Sequence, residues 1–242
     1  MHLDAATVML QWAAGGLLFL WFTLRDGEIS VGYAKLLRAT YGVIAAGSLA
    51  LGIAFSPVLV RDASAAIVAA CAFATWSGAR SRLEVPAFSV AVVGLVADVL
   101  VDDTTQPALW IARLVVGAVF LGAVSDAMLL GHWYLVQPGM PRRLLNRLTN
   151  VLLVVWPIEI LVMLVPTGMI DVLTGRIDDG WNGVLGWFWL ASASLTGVLA
   201  WLTRAALKER RYSAVMAATG LSYLAILMGF GTDVIARALL MV

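Results

Sequence analysis

The chain has 242 residues, of which 62% are apolar and only 13% carry a charge. An ordinary soluble domain carries roughly 25% charged residues, so a soluble fold of this size is excluded because it could not bury so much apolar surface. The formal net charge of +1 provides no field for nucleic acid, and a single cysteine, Cys71, excludes a disulfide framework and a thiolate metal site.

Long apolar runs predict an all-helical bundle that spans a membrane. A crossing helix needs about 20 mostly apolar residues, and its backbone polar groups must be satisfied internally. If some short or tilted runs are allowed, eight transmembrane helices are predicted at 5–24, 39–60, 64–79, 86–101, 109–134, 148–166, 183–203 and 213–237. The third and fourth runs are short, and a re-entrant pair there would leave six full crossings. We expect a single transmembrane domain over 1–242 with no extramembrane domain.

The distribution of charge between the loops predicts the orientation. Lys and Arg favour the cytoplasmic side of short loops. Twelve of the sixteen basic residues fall in the odd-numbered loops, whereas the even-numbered loops are acidic. We therefore expect both termini on the outer side of the membrane. We expect that membrane to be a bacterial cytoplasmic membrane. Because no basic residue precedes the first run and no small-residue cleavage site follows it, we expect that run to remain as a helix.

Similar strings in the two halves suggest a parallel repeat of four plus four helices. Lys35-Leu36-Leu37-Arg38 precedes the second predicted helix, and Arg143-Leu144-Leu145-Asn146 precedes the sixth. Each of these helices ends near a proline, Pro57 or Pro166. An even number of helices in each half would relate the halves by an axis along the membrane normal.

Two carboxylates within the apolar runs are candidate proton relays. A charged side chain near the bilayer centre costs about 2.5–3.5 kcal/mol on insertion scales, so such residues mark functional sites by default. Glu159 is predicted near the middle of the sixth helix, and Asp126 lies in the fifth. The alternatives are a neutral Glu159 that hydrogen-bonds to a neighbouring helix, and a structural ion pair for Asp126.

Small residues around Asp126 predict the face on which the fifth helix packs against another helix. These residues are Gly117, Ala118, Gly122 and Ala123. Helices in lipid approach closely where their side chains are small. We therefore expect Asp126 to lie on a buried face, whichever role it has.

The most distinctive string is Gly131-His132-Trp133-Tyr134, which arginines follow within a few residues. A histidine beside aromatic rings at headgroup level could hold a quinone head or a phospholipid. This candidate pocket would comprise His132, Trp133, Tyr134, Arg142 and Arg143. The alternative is an interfacial aromatic belt with ordinary cytoplasmic arginines.

No intrinsic cofactor is expected. Besides His132 the chain contains one histidine, His2, so the several axial ligands of a two-haem bundle are missing. The histidines and the cysteine also provide no metal site. A bound quinone or phospholipid is the only small-molecule partner that the sequence suggests.

Three functions fit these observations. The chain lacks a phosphate-binding loop, a zinc-protease motif and a nucleophile elbow. The first hypothesis is therefore a non-catalytic membrane subunit of a larger redox or energy-converting complex, which anchors partner subunits. The alternative is a small stand-alone transporter coupled to protons or ions through Asp126 and Glu159. An enzyme that acts on lipid ranks last, because the loop after His132 contains no carboxylate to orient it.

Overall fold

The computed structural model describes residues 4–76, 83–101, 104–137 and 139–240. Within these ranges all regular structure is helical. The helices are α1 (Ala5–Leu24), α2 (Val31–Phe55), α3 (Leu59–Ala74), α4 (Glu84–Val101), α5 (Pro107–Val136), α6 (Arg143–Leu164), α7 (Gly168–Leu173), α8 (Val184–Ala206) and α9 (Tyr212–Leu240). Residues 77–79 of the predicted third run, and His2, lie outside the described residues.

Each predicted run corresponds to one long helix, and the short α7 is additional. Seven of the described helices are long and apolar enough to cross a membrane. Of the eight helices that correspond to predicted runs, α3 alone does not meet the length criterion, because it has 16 residues. The chain is thus a multi-pass helical membrane protein. The largest difference between a predicted and an observed helix bound is at the start of α2, which begins at Val31 and was predicted to begin at 39. Arg38 is fully buried on this helix and does not belong to a loop.

Residues Asp4–Asp126 form one compact unit, called here the N-terminal unit. Its first four helices pack in a ring, in which α1 contacts α2 and α4, and α3 contacts the same two helices. Consecutive helices run in opposite directions, as the contacts at the two ends of the ring show.

One end of this ring is held together by Arg61, at the start of α3. Its guanidinium donates to the carboxylates of Asp4, Asp62 and Asp98, with distances of 3.0 Å to both Asp62 and Asp98. It also donates to the carbonyl oxygen of Ser56, just after α2. The start of α1, the end of α2, the start of α3 and the end of α4 therefore meet here, at what we call the Arg61 end.

The opposite end of the ring contains a buried ion pair between α2 and α4. Arg38 donates to Oε1 of Glu84 at 2.7 Å and to the carbonyl oxygen of Thr75 at 2.8 Å. We call this the Arg38 end. Between Arg61 and Thr75, α3 rises by about 21 Å at 1.5 Å per residue. This short helix therefore connects the two ends of the ring.

The described residues from Ala127 onward form a second compact unit, the C-terminal unit. Here α8 packs along α9 and against α6. The indole nitrogen of Trp156 on α6 donates to the carbonyl oxygen of Ala193 on α8 at 2.8 Å. Gly197 leaves room for that ring, because a Cβ atom there would lie 2.4 Å from it.

The segment before α8 is organised by Asp179. Its carboxylate accepts hydrogen bonds from four backbone N–H groups, those of Trp181, Gly183, Leu185 and Gly186. The last two belong to the first turn of α8, whose N–H groups have no partner within the helix. Burial raises the pKa of Asp179, but the four N–H donors outweigh it and hold the pKa below its ordinary value.

Candidate functional site

A polar cluster lies inside the N-terminal unit and begins with two tyrosines of α2. Tyr33, Leu37 and Tyr41 are spaced four residues apart, so they share one face of the helix. All three side chains are fully buried. A tyrosine in such a position brings a hydroxyl group that requires a hydrogen-bond partner in an apolar interior.

Asp126 of α5 supplies that partner. The Tyr41 hydroxyl donates a hydrogen bond to Oδ1 of Asp126, whose side chain is fully buried. Oδ2 is also buried and has no hydrogen-bond partner among the described residues. Tyr33 lies two turns before Tyr41 on the same buried face of α2. The carboxyl group therefore accepts a hydrogen bond from one phenol and, in the described part of the chain, has no ion pair with a basic side chain.

Glycines on α1 and α5 make room for this cluster. A Cβ atom on Gly15 would lie 1.7 Å from the carbonyl oxygen of Ala118, and one on Gly122 would lie 2.2 Å from the backbone of Gly15. The backbones of α1 and α5 therefore touch, which confirms the predicted packing face at Ala118 and Gly122. The neighbouring Gly16 leaves space for the Tyr41 ring, which a Cβ atom would approach to 2.1 Å.

Glu159 lies in the interior of the C-terminal unit. Its side chain is fully buried, one turn before Met163, which belongs to a core cluster that includes Trp189 and Ala236. It does not lie near the middle of its helix, because α6 extends from Arg143 to Leu164. Glu159 is 16 residues, about 24 Å, from the start of that helix and only about 7.5 Å from its end.

A buried ion pair lies beside the same core cluster. Arg237 on α9 donates to Oδ1 of Asp233, one turn earlier, at 2.8 Å, and both side chains are fully buried. Ala236, next to Arg237, belongs to the cluster that contains Met163. Neither residue was among the predicted site residues, and their burial as a pair is seen only in the structure.

The predicted quinone or phospholipid pocket is not a single cluster of side chains. His132, Trp133 and Tyr134 are consecutive on α5, and each residue of a helix is rotated by about 100° from the last. His132 is exposed, and its Nδ1 lies 3.0 Å from the hydroxyl of Tyr223 on α9. The Trp133 indole donates to Gln137, whereas the buried Tyr134 hydroxyl donates to the carbonyl oxygen of Met140.

The two arginines of that prediction occupy different surroundings. Arg142 donates to the backbone carbonyl oxygens of Glu209, Arg210 and Arg211, between α8 and α9. Arg143 is exposed in the first turn of α6. Arg142 thus joins two loops, and neither arginine is brought onto His132 by a described contact.

Sequence reasoning missed Tyr33, Tyr41 and Tyr223. The signal for the first two was the four-residue spacing with Leu37, which was overlooked because α2 was predicted to begin at 39. In the described ranges, no group of three or more His, Cys, Asp or Glu side chains is arranged to hold a metal ion.

Comparison of the sequence with protein-family models found no matching family, and comparisons with curated proteins and with solved structures found no match.

Proposed function

We propose that this membrane protein binds and releases protons in its interior and functions as a small proton-coupled transporter. The observation that carries this proposal is Asp126, a fully buried carboxyl group with one hydrogen bond from Tyr41 and no cationic partner in the described chain. A structural ion pair, the alternative for this residue, requires such a partner.

The chemistry follows from the cost of a charge in an apolar interior. An ionised carboxylate at this depth costs about 2.5–3.5 kcal/mol on insertion scales, and a proton removes that charge. Tyr41 fixes Oδ1, so Oδ2 is the atom that accepts the proton. A conformational change that admits water would release the proton again. In this way a transporter couples proton movement to the change between its outward-open and inward-open states. We propose Glu159 as a second proton-binding carboxyl group.

The proposal includes eight crossings with both termini outside and two parallel halves. The support for the eighth crossing is that α3 connects the Arg61 end to the Arg38 end, although it has only 16 residues. The support for the orientation is the excess of basic residues in the odd-numbered loops and in the helix ends next to them.

Infrared spectroscopy of the protein in lipid tests the protonated state directly. We expect a carboxylic acid band that disappears in Asp126→Asn. The matched control is Asp98→Asn, because Asp98 accepts from Arg61 and Thr7 and is stabilised as a carboxylate. If Asp126→Asn removes only carboxylate absorption, Asp126 is ionised and the proposal is wrong.

Proton movement tests the function itself. In proteoliposomes with an imposed pH gradient and an internal pH dye, we expect proton entry that Asp126→Asn abolishes and Glu159→Gln reduces. Asp171→Asn is the control, since this carboxylate lies in the short α7 and is paired with the exposed Arg176. Proton entry that is equal in wild-type protein and Asp126→Asn contradicts the proposal.

A second function is favoured by one observation, the exposed His132. Tyr223 engages its Nδ1 and leaves Nε2 to hydrogen-bond a quinone oxygen or a phospholipid headgroup from the surrounding lipid. This would fit a subunit of a larger redox complex. Purification in mild detergent with mass spectrometry of bound material is the test. Redox subunits or a retained quinone that is lost in His132→Ala would favour this function, and a chain that emerges alone would exclude it.

A further inference from the structure

We propose that the loop between α8 and α9 binds the headgroup of an anionic phospholipid. This loop consists of residues 207–211 and contains Lys208, Arg210 and Arg211, and we call it the basic loop. It belongs to the C-terminal unit and includes neither Asp126 nor Glu159, so the site is independent of proton binding.

The basic loop lies at a surface of the membrane. The helices on either side of it, α8 and α9, are both long and apolar enough to cross a bilayer, and they pack against each other. Only five residues connect them, which is typical of neighbouring antiparallel helices. A connection this short keeps its side chains at the level of the lipid headgroups.

Arg142 fixes the backbone of the basic loop. Its guanidinium donates to the carbonyl oxygens of Glu209, Arg210 and Arg211, at 2.8 Å for Arg210 and 3.0 Å for Arg211. These acceptors carry no net charge, so the positive charge of Arg142 adds to that of the loop. Because the hydrogen bonds order the backbone before a ligand arrives, they reduce the entropic cost of binding.

A second arginine adds positive charge at the same end of the C-terminal unit. Arg204, in the last turn of α8, donates to Oδ1 of Asn150 at 2.6 Å and to Oδ1 of Asn146 at 3.0 Å. Asn146 in turn donates to the carbonyl oxygen of Arg142 at 3.0 Å. The amide acceptors are also uncharged, so Asn146 joins the two arginines without neutralising either of them.

The charges at this end do not cancel. The basic loop, Arg142 and Arg204 together contain five cations and one acid, Glu209. The side chains of Lys208, Arg210 and Arg211 are exposed, and among the described residues none of them has a carboxylate partner. A cluster of about four to eight Lys and Arg residues directly beside a membrane helix is typical of a site for anionic lipid.

Two neighbouring arginines suit a phosphate group in particular. The Cα atoms of Arg210 and Arg211 lie about 3.8 Å apart, well within the screening length of about 8 Å at physiological salt. Their charges therefore repel each other, and a bound anion relieves the repulsion. A guanidinium binds phosphate oxygens through two parallel hydrogen bonds, which fixes the orientation of the headgroup.

Exposed apolar side chains beside the basic loop favour a lipid as the source of the phosphate. Trp201 on α8 is 61% exposed and lies about 9 Å before the loop, and Tyr212, directly after the loop, is 47% exposed. Aromatic rings at these positions are typical of the boundary between headgroups and acyl chains. An acyl chain can therefore cover them while the loop holds the phosphate.

Native mass spectrometry of the delipidated protein in mild detergent tests this site. The probes are phosphatidylglycerol and phosphatidylcholine with the same acyl chains, titrated separately. We expect tighter binding of phosphatidylglycerol, and we expect Lys208→Gln combined with Arg210→Gln and Arg211→Gln to weaken it by about a hundredfold. Each cation near an anionic lipid contributes about fivefold to the affinity. Equal affinity of the wild-type protein for the two lipids, or wild-type affinity for phosphatidylglycerol in the triple variant, would overturn the proposal.

Two matched variants separate the basic loop from net charge and from misfolding. Arg25→Gln combined with Lys35→Gln and Arg176→Gln removes the same charge from exposed positions elsewhere, and we expect it to bind phosphatidylglycerol as the wild type does. An equal loss in both triple variants would mean that the lipid responds only to net charge, and the site would be wrong. Arg210→Lys combined with Arg211→Lys keeps the charges, so this variant should retain the preference for phosphatidylglycerol, and loss of the preference would contradict the proposal.

Free glycerol phosphate distinguishes a lipid from a soluble anion. We expect phosphatidylglycerol to stay bound in its presence at equal concentration, because the acyl chains also contact the protein. Displacement of the lipid would show that the basic loop binds a soluble phosphate instead, which would overturn the assignment to a phospholipid.

Discussion

The Tyr41 hydroxyl donates a hydrogen bond to Oδ1 of Asp126, although 85 residues separate the two along the chain. This contact ties α2 to α5 in an interior where nothing else in the described chain binds the carboxyl oxygens. It contributes to the stability of the N-terminal unit and leaves Oδ2 as the atom of Asp126 that can accept a proton.

Loss of the Tyr41 hydroxyl should destabilise the fold. In Tyr41→Phe, Oδ1 of Asp126 loses its donor, and a buried group left without a hydrogen bond costs about 1–3 kcal/mol. Unfolding in detergent measures the change. Tyr212→Phe is the control, because Tyr212 is exposed at the start of α9. If the effects of Tyr41→Phe and Asp126→Leu simply add in the double variant, the two side chains are not coupled and this account is incorrect.

The contact between α1 and α5 should not tolerate a methyl group. In Gly15→Ala the new Cβ atom would lie 1.7 Å from the carbonyl oxygen of Ala118, which forces the backbones apart. We expect this overpacking to lower the free energy of unfolding by about 1–3 kcal/mol. Gly220→Ala on α9 is the control, since nothing lies within 4 Å of its Cβ position. In this control we expect the free energy of unfolding to rise by about 0.5–1 kcal/mol, because alanine favours the helix more than glycine does. Equal thermal stability of the two variants would contradict the contact.

Breaking the ion pair at the Arg38 end should be costly, whereas replacing both partners should not. Arg38→Met leaves Glu84 buried without its cation. We expect this to lower the free energy of unfolding by about 3–5 kcal/mol. Arg38→Met combined with Glu84→Leu should recover most of that loss, because no unpaired charge remains. Lys35→Met, an exposed position on the same helix, controls for the loss of a positive charge. Equal stability of the single and double variants would show that the pair is not what stabilises this end.

The contribution of Asp179 should depend on pH. Its folded pKa lies below the unfolded value of about 3.9. Its stabilisation is therefore fully present above that value and is lost as the pH falls through the folded pKa. Asp179→Ala should lower the melting temperature at neutral pH and have little effect in strong acid. Asp178→Ala should lower the melting temperature less, since Asp178 accepts one hydrogen bond within the described residues, from the N–H of Gly180. A pH-independent effect of Asp179→Ala would show that the carboxylate charge is not involved.

The two ends of the chain should lie on the same side of the membrane. This follows if α3 crosses the bilayer, because eight crossings return the chain to the side on which it began. Reporter fusions at each terminus, one active only outside and one only in the cytoplasm, measure this. Termini on opposite sides would mean that α3 does not cross, which would leave the seven helices that meet the length criterion.

The sequence was sufficient to predict the class of fold and the position of nearly every helix. Apolar runs of this length have no stable place in water, and in lipid they must form helices. The bounds of α1 were predicted to the residue, whereas α2 was predicted to begin eight residues late. Hydropathy cannot predict where such a helix begins. A polar residue such as Lys35 or Arg38 lowers the mean hydropathy equally whether it lies in a loop or in a helix that packs against a partner.

The site depended on contacts that no local pattern contains. Asp126 was identified from its charge alone, because burial of a carboxylate is costly wherever it occurs. Its partner Tyr41 was not identified, since a tyrosine in an apolar run resembles any other aromatic core residue. The His132, Trp133 and Tyr134 string looked like one pocket because the residues are adjacent in sequence. On a helix, adjacent residues point in different directions, and the neighbouring helices decide which of them meet.

The sequence by itself therefore determined that the chain is a bundle of membrane helices with acidic groups inside it, because both properties follow from transfer free energies of single residues. Only the tertiary structure decided which groups those acids face. Glu84 was paired with Arg38, and Asp98 with Arg61, whereas Asp126 was placed against the phenol of Tyr41. That difference arises from how the helices pack, and it separates the structural carboxylates from the one proposed to bind a proton.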